Sequence, residues 1–158
     1  MENTVKKEEA VEKKEYKQFV VFNLAEEEYG IDIQRVIEIV EMTSITRVPH
    51  APSFVKGVIN LRGEIIPVMG LRERFNIPAI EGSEETRIII FKVNEGSIGM
   101  IVDNVVEVIE LPLEAIEGVA NFSSDQALEF ISGAGKINER IVTLLNVDKL
   151  VIQAQKEG

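Results

Sequence analysis

Short apolar runs dominate most of the chain. They read FVVFNL, YGIDI, RVIEIVE, GVINL, EIIPVMGL, RIIIFKV, IGMIV, NVVEVIEL and RIVTLLNV, and Gly, Asn, Pro or charged clusters separate them. Runs of this length and Val and Ile content predict β-strands. In RVIEIVE every second residue falls on the same side, as in a half-buried strand. One face then carries Val36, Glu38 and Val40, and the other carries Ile37 and Ile39.

Loops and helices account for little of the predicted structure. AEEE at residues 25–28 and NEGS at 94–97 are predicted hairpin loops. The helical candidates are short, at about residues 53–56, 71–75, 113–116 and after residue 148. We expect residues 1–16 to form a flexible charged tail and residues 153–158 a C-terminal tail. A short helix held by Glu and Lys pairs is the alternative for the first tail, but such isolated helices are marginal in water.

The chain contains an internal repeat. With an offset of 69, FNLAEEEYGIDIQRVIEIVE (residues 22–41) aligns with FKVNEGSIGMIVDNVVEVIE (residues 91–110) without a gap. The identical pairs include Phe22 with Phe91 and Gly30 with Gly99, and most other positions exchange one aliphatic residue for another. A second block repeats with an offset of 76, so that residues 65–71 align with residues 141–147. The offsets differ by seven, which predicts a longer middle section in the second copy, between residues 111 and 140.

Two small β-barrels are the fold that this repeat predicts. Each copy has about 65 residues and about five short strands, and closure into a barrel removes exposed sheet edges. Since such small cores are marginal alone, the two barrels should share a surface with pseudo-two-fold symmetry and leave a groove along it. We therefore predict an all-β chain with a first barrel at residues 17–83 and a second at residues 84–152.

Composition excludes several functional classes. The formal net charge is −10, and residues 1–18 contain five Lys and five Glu, so the whole excess lies in the remainder. Such a surface repels nucleic acid. There is no cysteine, no signal-like apolar run at the start and no stretch long enough to span a membrane. These features predict a soluble cytoplasmic protein without direct membrane contact.

No active site is predicted. His50 is the single histidine and lies between two prolines, which indicates an exposed turn. Without cysteine or a second histidine, a soft-metal site cannot be completed. Carboxylates are abundant, but they lie in predicted turns where solvated charge is the ordinary explanation, and no phosphate, dinucleotide or calcium loop is present. We expect no catalytic residue, no cofactor and no metal.

Residues 45–71, ITRVPHAPSFVKGVINLRGEIIPVMGL, are the most distinctive segment. Pro49 and Pro52 stop a strand, and Gly57 allows the backbone to re-enter one at close quarters. Arg62 and Gly63 form a plausible tight turn that would place the arginine at a hairpin tip. A solvated arginine without a specific role is the alternative interpretation of this position.

At this segment the sequence resembles the CheW family of bacterial chemotaxis adaptors. YGIDIQRVIEI, ITRVPHAPSFVKGVINLRGEIIPV, IGMIVDNVVEV and ISGAGKI carry the resemblance, which covers about residues 17–152. It implies two SH3-like five-stranded β-barrels packed together. It also implies an adaptor without catalytic activity that couples the cytoplasmic tips of methyl-accepting chemoreceptors to the regulatory domain of the histidine kinase CheA. The chain would then be recruited to receptor arrays at the inner face of the membrane.

The resemblance also implies two sets of binding residues. The receptor-helix groove between the barrels would comprise Val36, Gly57, Arg62, Gly99, Val105 and Val108. The kinase-binding residues would be Glu38, Ile39, Met42 and Arg47 at an edge of the first barrel, with Phe122 as a second contact or a local core aromatic. The glycines would act indirectly through the backbone. Gly70 departs from the family, in which an aspartate is frequent at this position.

Three alternatives stay open at this point. The same domain could be the adaptor half of a CheV-like receiver fusion, or a detached CheA regulatory domain. More remotely, a carboxylate in the groove, such as Glu38, could support hydrolysis. The sequence does not indicate which receptors or stimuli would be served.

Overall fold

The computed structural model describes residues 15–94, 96–118 and 129–151. The chain is all-β, as predicted, with few and short helices. Its elements are β1 (Tyr16–Leu24), β2 (Glu27–Asp32), a 3-10 turn (Ile33–Arg35), β3 (Val36–Glu41), β4 (Val55–Leu61), β5 (Glu64–Gly70), α1 (Leu71–Arg74), β6 (Arg87–Val93), β7 (Gly96–Val102), β8 (Asn104–Pro112), a second 3-10 turn (Leu113–Ala115), β9 (Ile116–Gly118), β10 (Ile131–Ile137) and β11 (Arg140–Leu145). Residues 147–151 are also helical.

The repeat is confirmed strand by strand. At the offset of 76, the sequence of β4 aligns with that of β10, and α1 aligns with the helical residues 147–150. At the offset of 69, β1, β2 and β3 correspond to β6, β7 and β8. The predicted helix at residues 71–75 is therefore confirmed, whereas residues 53–56 form a turn and the start of β4. Arg62 and Gly63 form the tight hairpin turn, with φ of 51° and 88°.

The two sheets do not coincide with the two halves of the chain. One sheet has the order β8-β1-β2-β11-β10-β9 and the other β3-β6-β7-β5-β4. The expected assignment of one barrel to residues 17–83 and the other to 84–152 is therefore wrong in its strand content. The 3-10 turn Ile33–Arg35 redirects the chain after β2 into the other sheet, so each copy gives its first hairpin to the barrel that the other copy completes.

Each sheet closes on itself at an equivalent place. In the five-stranded barrel, the chain after β3 returns to β4 through a bridge between Thr46 and Val58. In the six-stranded barrel, β9 continues from β8 and pairs with β10. A glycine lies at each closure. A Cβ on Gly57 would be 2.1 Å from the Thr46 carbonyl oxygen, and a Cβ on Gly133 would be 2.4 Å from the Glu117 carbonyl oxygen, so neither position has room for a side chain.

Among the residues that the structure describes, three apolar clusters form the core. Alternate residues of β1 enter two of them: Phe19 and Val21 face the six-stranded barrel interior, whereas Phe22 enters a central cluster shared by both barrels. In β6, Ile88 likewise faces the five-stranded interior, and Phe91 enters the shared cluster. Both faces of these strands are thus buried, which explains their continuous apolar sequences.

The shared cluster, called the seam from here on, contains an arginine between two aromatic rings. The Arg74 guanidinium carbon lies 4.5 Å from the ring centroid of Phe54 and 4.4 Å from that of Phe130, which are equivalent positions of the repeat. Its Nε donates to the carbonyl of Leu150 at 3.3 Å. This geometry favours cation–π attraction in a desolvated site. One side chain therefore ties together residues from both copies.

Two ion pairs brace the ends of the parallel strand pairs. Arg72 donates to both Asp103 oxygens at 2.9 and 2.7 Å, and Arg35 donates to both Asp148 oxygens at 3.1 and 2.6 Å. These hydrogen bonds lower the pKa of Asp103 and of Asp148. Asp148 occupies the repeat position of Arg72, so the two copies hold the same type of contact with reversed charges.

Replacement of Gly57 by alanine should destabilise the fold. The new methyl group would overlap the Thr46 carbonyl at a φ of +143°, so we expect a loss of about 2 kcal/mol or more in the free energy of unfolding by urea. Gly96→Ala is the matched control, since a Cβ there meets no atom within 4 Å. Equal unfolding free energies for the two variants would contradict this account of barrel closure.

Acid should remove the contribution of Asp103 to stability. Its folded pKa lies below the reference value of 3.8, so the contribution is present above that pH and is lost as the pH falls through the folded value. Asp103→Asn should therefore be less stable than the native protein at pH 7, and the difference should shrink as acid titrates the carboxylate. Urea unfolding across this pH range checks it. A difference that is independent of pH would contradict the assignment.

Candidate functional site

Strands β3 and β8 carry equivalent bulges at the outer edges of the two sheets. On β3, Ile37 is the extra residue in the pairing with β6, and on β8 Val106 is the extra residue in the pairing with β1. Both side chains are exposed. A bulge bends the strand and re-aims its side chains. The regular alternation of faces predicted for RVIEIVE is therefore interrupted at Ile37, which the prediction placed on the same face as Ile39.

Two of the expected groove residues lie at the seam. Val36 pairs with Phe91, and Val105 pairs with Phe22. Both valines are half-buried against the seam cluster and occupy equivalent positions of the repeat. Val108, on the same strand as Val105, is 48% exposed. The three valines therefore present an aliphatic surface on the strands that flank the seam.

The two expected glycines do not line a surface. Gly57 is enclosed at the barrel closure, and a Cβ on Gly99 would meet Ile88 Cγ2 at 2.8 Å inside the five-stranded barrel. Both residues are buried. An indirect influence of these two glycines on binding, through the backbone and the barrel interior, stays a prediction.

Arg62 joins the two expected residue sets. Its Nη2 donates to Glu38 Oε1, and its side chain remains 70% exposed. The arginine was assigned to the receptor groove and the glutamate to the kinase edge, so one ion pair connects both assignments. In the other barrel, Glu107 occupies the position of Glu38 and accepts from Arg140 Nη1 at 2.7 Å. Hydrogen bonds to Glu28 and Glu107 raise the pKa of Arg140.

The expected kinase residues lie on and after β3. Ile39 and Met42 are 39% and 41% exposed, and Arg47 is exposed as well. Ile39 pairs with Ile89, on the opposite side of the strand from Glu38. Phe122 lies outside the described residues. Sequence reasoning missed the exposure of Ile37, because a bulge leaves no simple signature in the apolar pattern.

Acid–base chemistry would need a carboxylate or the single histidine, His50. Arg72 and Arg35 lower the pKa of the carboxyl groups they contact, which is opposite to the rise that a general acid at neutral pH needs. Glu38 is held by Arg62. His50 is exposed in a turn with a φ of 64°. Within residues 15–94, 96–118 and 129–151, no cluster of three or more acidic or histidine side chains could hold a metal ion.

Among the helices of the described residues, none has the length and apolar character needed to cross a bilayer.

Comparison with known proteins agrees with this architecture. The family model for the CheW-like domain matches residues 18–155. The chemotaxis protein CheW of Klebsiella aerogenes is 37% identical over 134 residues, which covers 85% of this chain and 81% of that protein. The chemotaxis protein CheW of Thermotoga maritima is 31% identical over 138 residues, which covers 87% and 89%.

A solved structure extends the agreement to three dimensions. The crystal structure of the scaffolding protein TtCheW from Thermoanaerobacter tengcongensis superposes with a TM-score of 0.80 at 40% identity, covering 86% of this chain and 92% of that one. The family model, the aligned sequences and the superposed structure each cover both copies of the repeat. The chain therefore belongs to the CheW-like domain family.

Proposed function

We propose that this chain is a non-enzymatic chemotaxis adaptor that couples chemoreceptors to the regulatory domain of the histidine kinase CheA. The main support for this proposal is the pair of bulged strands β3 and β8, which expose aliphatic side chains at the outer edge of each barrel. Exposed aliphatic groups that cluster on one strand are typical of protein-binding surfaces. The relatives named as chemotaxis proteins and as a scaffolding protein support the same role.

The receptor surface in this proposal lies along the seam. Val36 and Val105 supply an apolar floor, Val108 extends it towards solvent, and Arg62 offers a cation at its rim. An amphipathic receptor helix could place aliphatic residues against the valines and an acidic or polar residue near the arginine. Apolar burial would supply affinity, and the charge would set the register of the helix.

In this proposal the kinase surface lies on β3 and the chain after it, next to the Glu38–Arg62 ion pair. Ile39 and Met42 form its apolar part, and Arg47 adds a charge. Ile39 and Val108 occupy equivalent positions of the repeat. The two proposed surfaces thus use the same strand position of the two copies for different partners. Simultaneous binding of both partners would bring the kinase to the receptor array at the cytoplasmic face of the membrane.

Receptor binding should depend on Val108 and Arg62. Val108→Glu places a charge on the aliphatic surface and Arg62→Ala removes the rim cation, so each should raise the Kd for a receptor-tip fragment at least about tenfold. Both side chains are largely exposed, so the melting temperature should change little. Co-sedimentation with receptor-containing membranes measures the effect. Ile141→Glu, at an isoleucine that is 61% exposed on β11, is the control. Unchanged affinity of both variants would contradict the groove assignment.

Kinase binding should depend on Ile39. Ile39→Glu should weaken the complex with a CheA regulatory domain at least about tenfold, because a carboxylate would be desolvated in an apolar contact. Ile65→Glu is the matched control, since Ile65 lies on the same barrel and is 59% exposed. Calorimetric titration of the purified domains gives the comparison. Equal losses for the two variants, or no loss for Ile39→Glu, would show that β3 is not the kinase edge.

A further inference from the structure

Methionine is the only sulfur-containing residue type in this chain. The sequence has four methionines and no cysteine. Three of them, Met42, Met69 and Met100, lie among the residues that the structure describes. Peroxides oxidise a thioether sulfur that solvent can reach, and the product, a sulfoxide, is polar. The location of each methionine in the fold therefore determines where this chain is open to oxidation.

The three described methionines differ in their exposure. Met69 and Met100 pair with each other on β5 and β7, belong to the seam, and are 3% and 0% exposed. Met42 follows the end of β3 and is 41% exposed. A peroxide molecule can approach the Met42 side chain from solvent, whereas it reaches the other two only after the seam opens.

The repeat shows why Met42 is exposed. At the offset of 69, Met42 corresponds to Leu111, which is 2% exposed and packs inside the six-stranded barrel. Leu111 is still part of β8 and pairs with Lys17, whereas β3 ends at Glu41, so residue 42 has left the sheet. The same position is therefore a buried aliphatic residue in one copy and an exposed thioether in the other.

Met42 also lines a small cleft with charged walls. The volume of this cleft is about 170 Å³, which admits water-sized solutes such as hydrogen peroxide. Its walls include two ion pairs, Lys56 with Glu73 at 2.8 Å and Arg72 with Asp103 at 2.7 Å. The lysine and arginine N–H groups are donors of the kind that a peroxide or sulfoxide oxygen accepts. Small polar solutes are therefore favoured on this side of Met42.

We propose that Met42 is a reversible oxidation site, and that its oxidation by a peroxide releases the kinase from this chain. The thioether sulfur attacks one peroxide oxygen, so that an S–O bond forms and the O–O bond breaks. The transferred hydroxyl gives its proton to the departing oxygen, which leaves as water. The sulfur loses two electrons and the peroxide gains them. The release of the kinase rests on the proposed function, in which Met42 and Ile39 form the apolar part of the kinase surface.

Oxidation changes a group that must lose water when the kinase binds. A thioether is buried at little cost, but a sulfoxide oxygen is a strong acceptor that has to be desolvated. The affinity for the kinase should therefore fall. The coupling is reciprocal, because a bound kinase domain covers Met42 and should slow its oxidation. Reduction of the sulfoxide by a methionine sulfoxide reductase restores the thioether and, with it, the apolar surface.

Two variants separate the sulfur chemistry from the apolar contact. Met42→Leu installs the residue of the other copy, which keeps an aliphatic side chain and resists peroxide, whereas Met42→Gln places a polar amide there. The full chain and each variant are treated with hydrogen peroxide, mapped by peptide mass spectrometry and titrated calorimetrically with a CheA regulatory domain. In the native chain we expect Met42 to be oxidised before Met69 and Met100, and the Kd to rise at least about tenfold.

Met42→Leu should bind the kinase domain equally well before and after treatment, and Met42→Gln should bind weakly without it. Met1 lies outside the described residues and is present in Met42→Leu as well, so this variant controls for oxidation elsewhere in the chain. A methionine sulfoxide reductase with a thiol should restore the original Kd, and saturating kinase domain should slow the oxidation of Met42.

Three results would each overturn the proposal: oxidation of Met69 or Met100 ahead of Met42, an unchanged Kd once Met42 is oxidised, or an equal loss of affinity in peroxide-treated Met42→Leu. Failure of the untreated chain to bind the kinase domain is a different result. It would contradict the proposed function, and the release of the kinase with it, while the order of oxidation would still report on Met42.

Discussion

The exchange of hairpins between the two copies is the constraint on which the rest of the structure depends. Since β1 and β6 each lie in the barrel that the other copy completes, both of their faces are buried. One face fills a barrel interior, and the other forms the seam through residues such as Phe22 and Phe91. Neither copy can leave the other without exposing these faces. The groove that we assign to the receptor therefore depends on the same exchange of hairpins, because Val36 and Val105 pack against the seam cluster.

Seam packing also orders the two copies relative to each other. Ring centroids of Phe22, Tyr29, Phe75 and Phe130 follow one another at 6.0, 5.7 and 5.5 Å, and Arg74 continues the series towards Phe54. Dense aromatic contacts of this type leave little room for relative motion. Symmetry-related positions diverge inside the seam, where Arg74 corresponds to Leu150, and at the surface, where Ile39 and Val108 face different proposed partners.

Sequence reasoning predicted the repeat, the all-β class and the hairpin turn at Arg62, because each has a local signature in residue type and spacing. It assigned one barrel to each half of the chain, since a repeat shows that two units exist but not which strands pair. Pairing of β2 with β11 depends on contacts more than 100 residues apart in sequence, and no local pattern reports them. The bulges at Ile37 and Val106 became visible only from the register, whereas the close backbone approach predicted at Gly57 is confirmed by the short distance to Thr46.

An NMR titration of the isotopically labelled chain with a receptor-tip helical hairpin, followed by a CheA regulatory domain, tests the central claim most directly. We expect the first partner to perturb the amides around Val36, Val105 and Val108, and the second to perturb those around Ile39 and Met42 while the first remains bound. Competition of the two partners for one surface, or perturbations confined to the outer hairpins at Ile65 and Ile141, would contradict it.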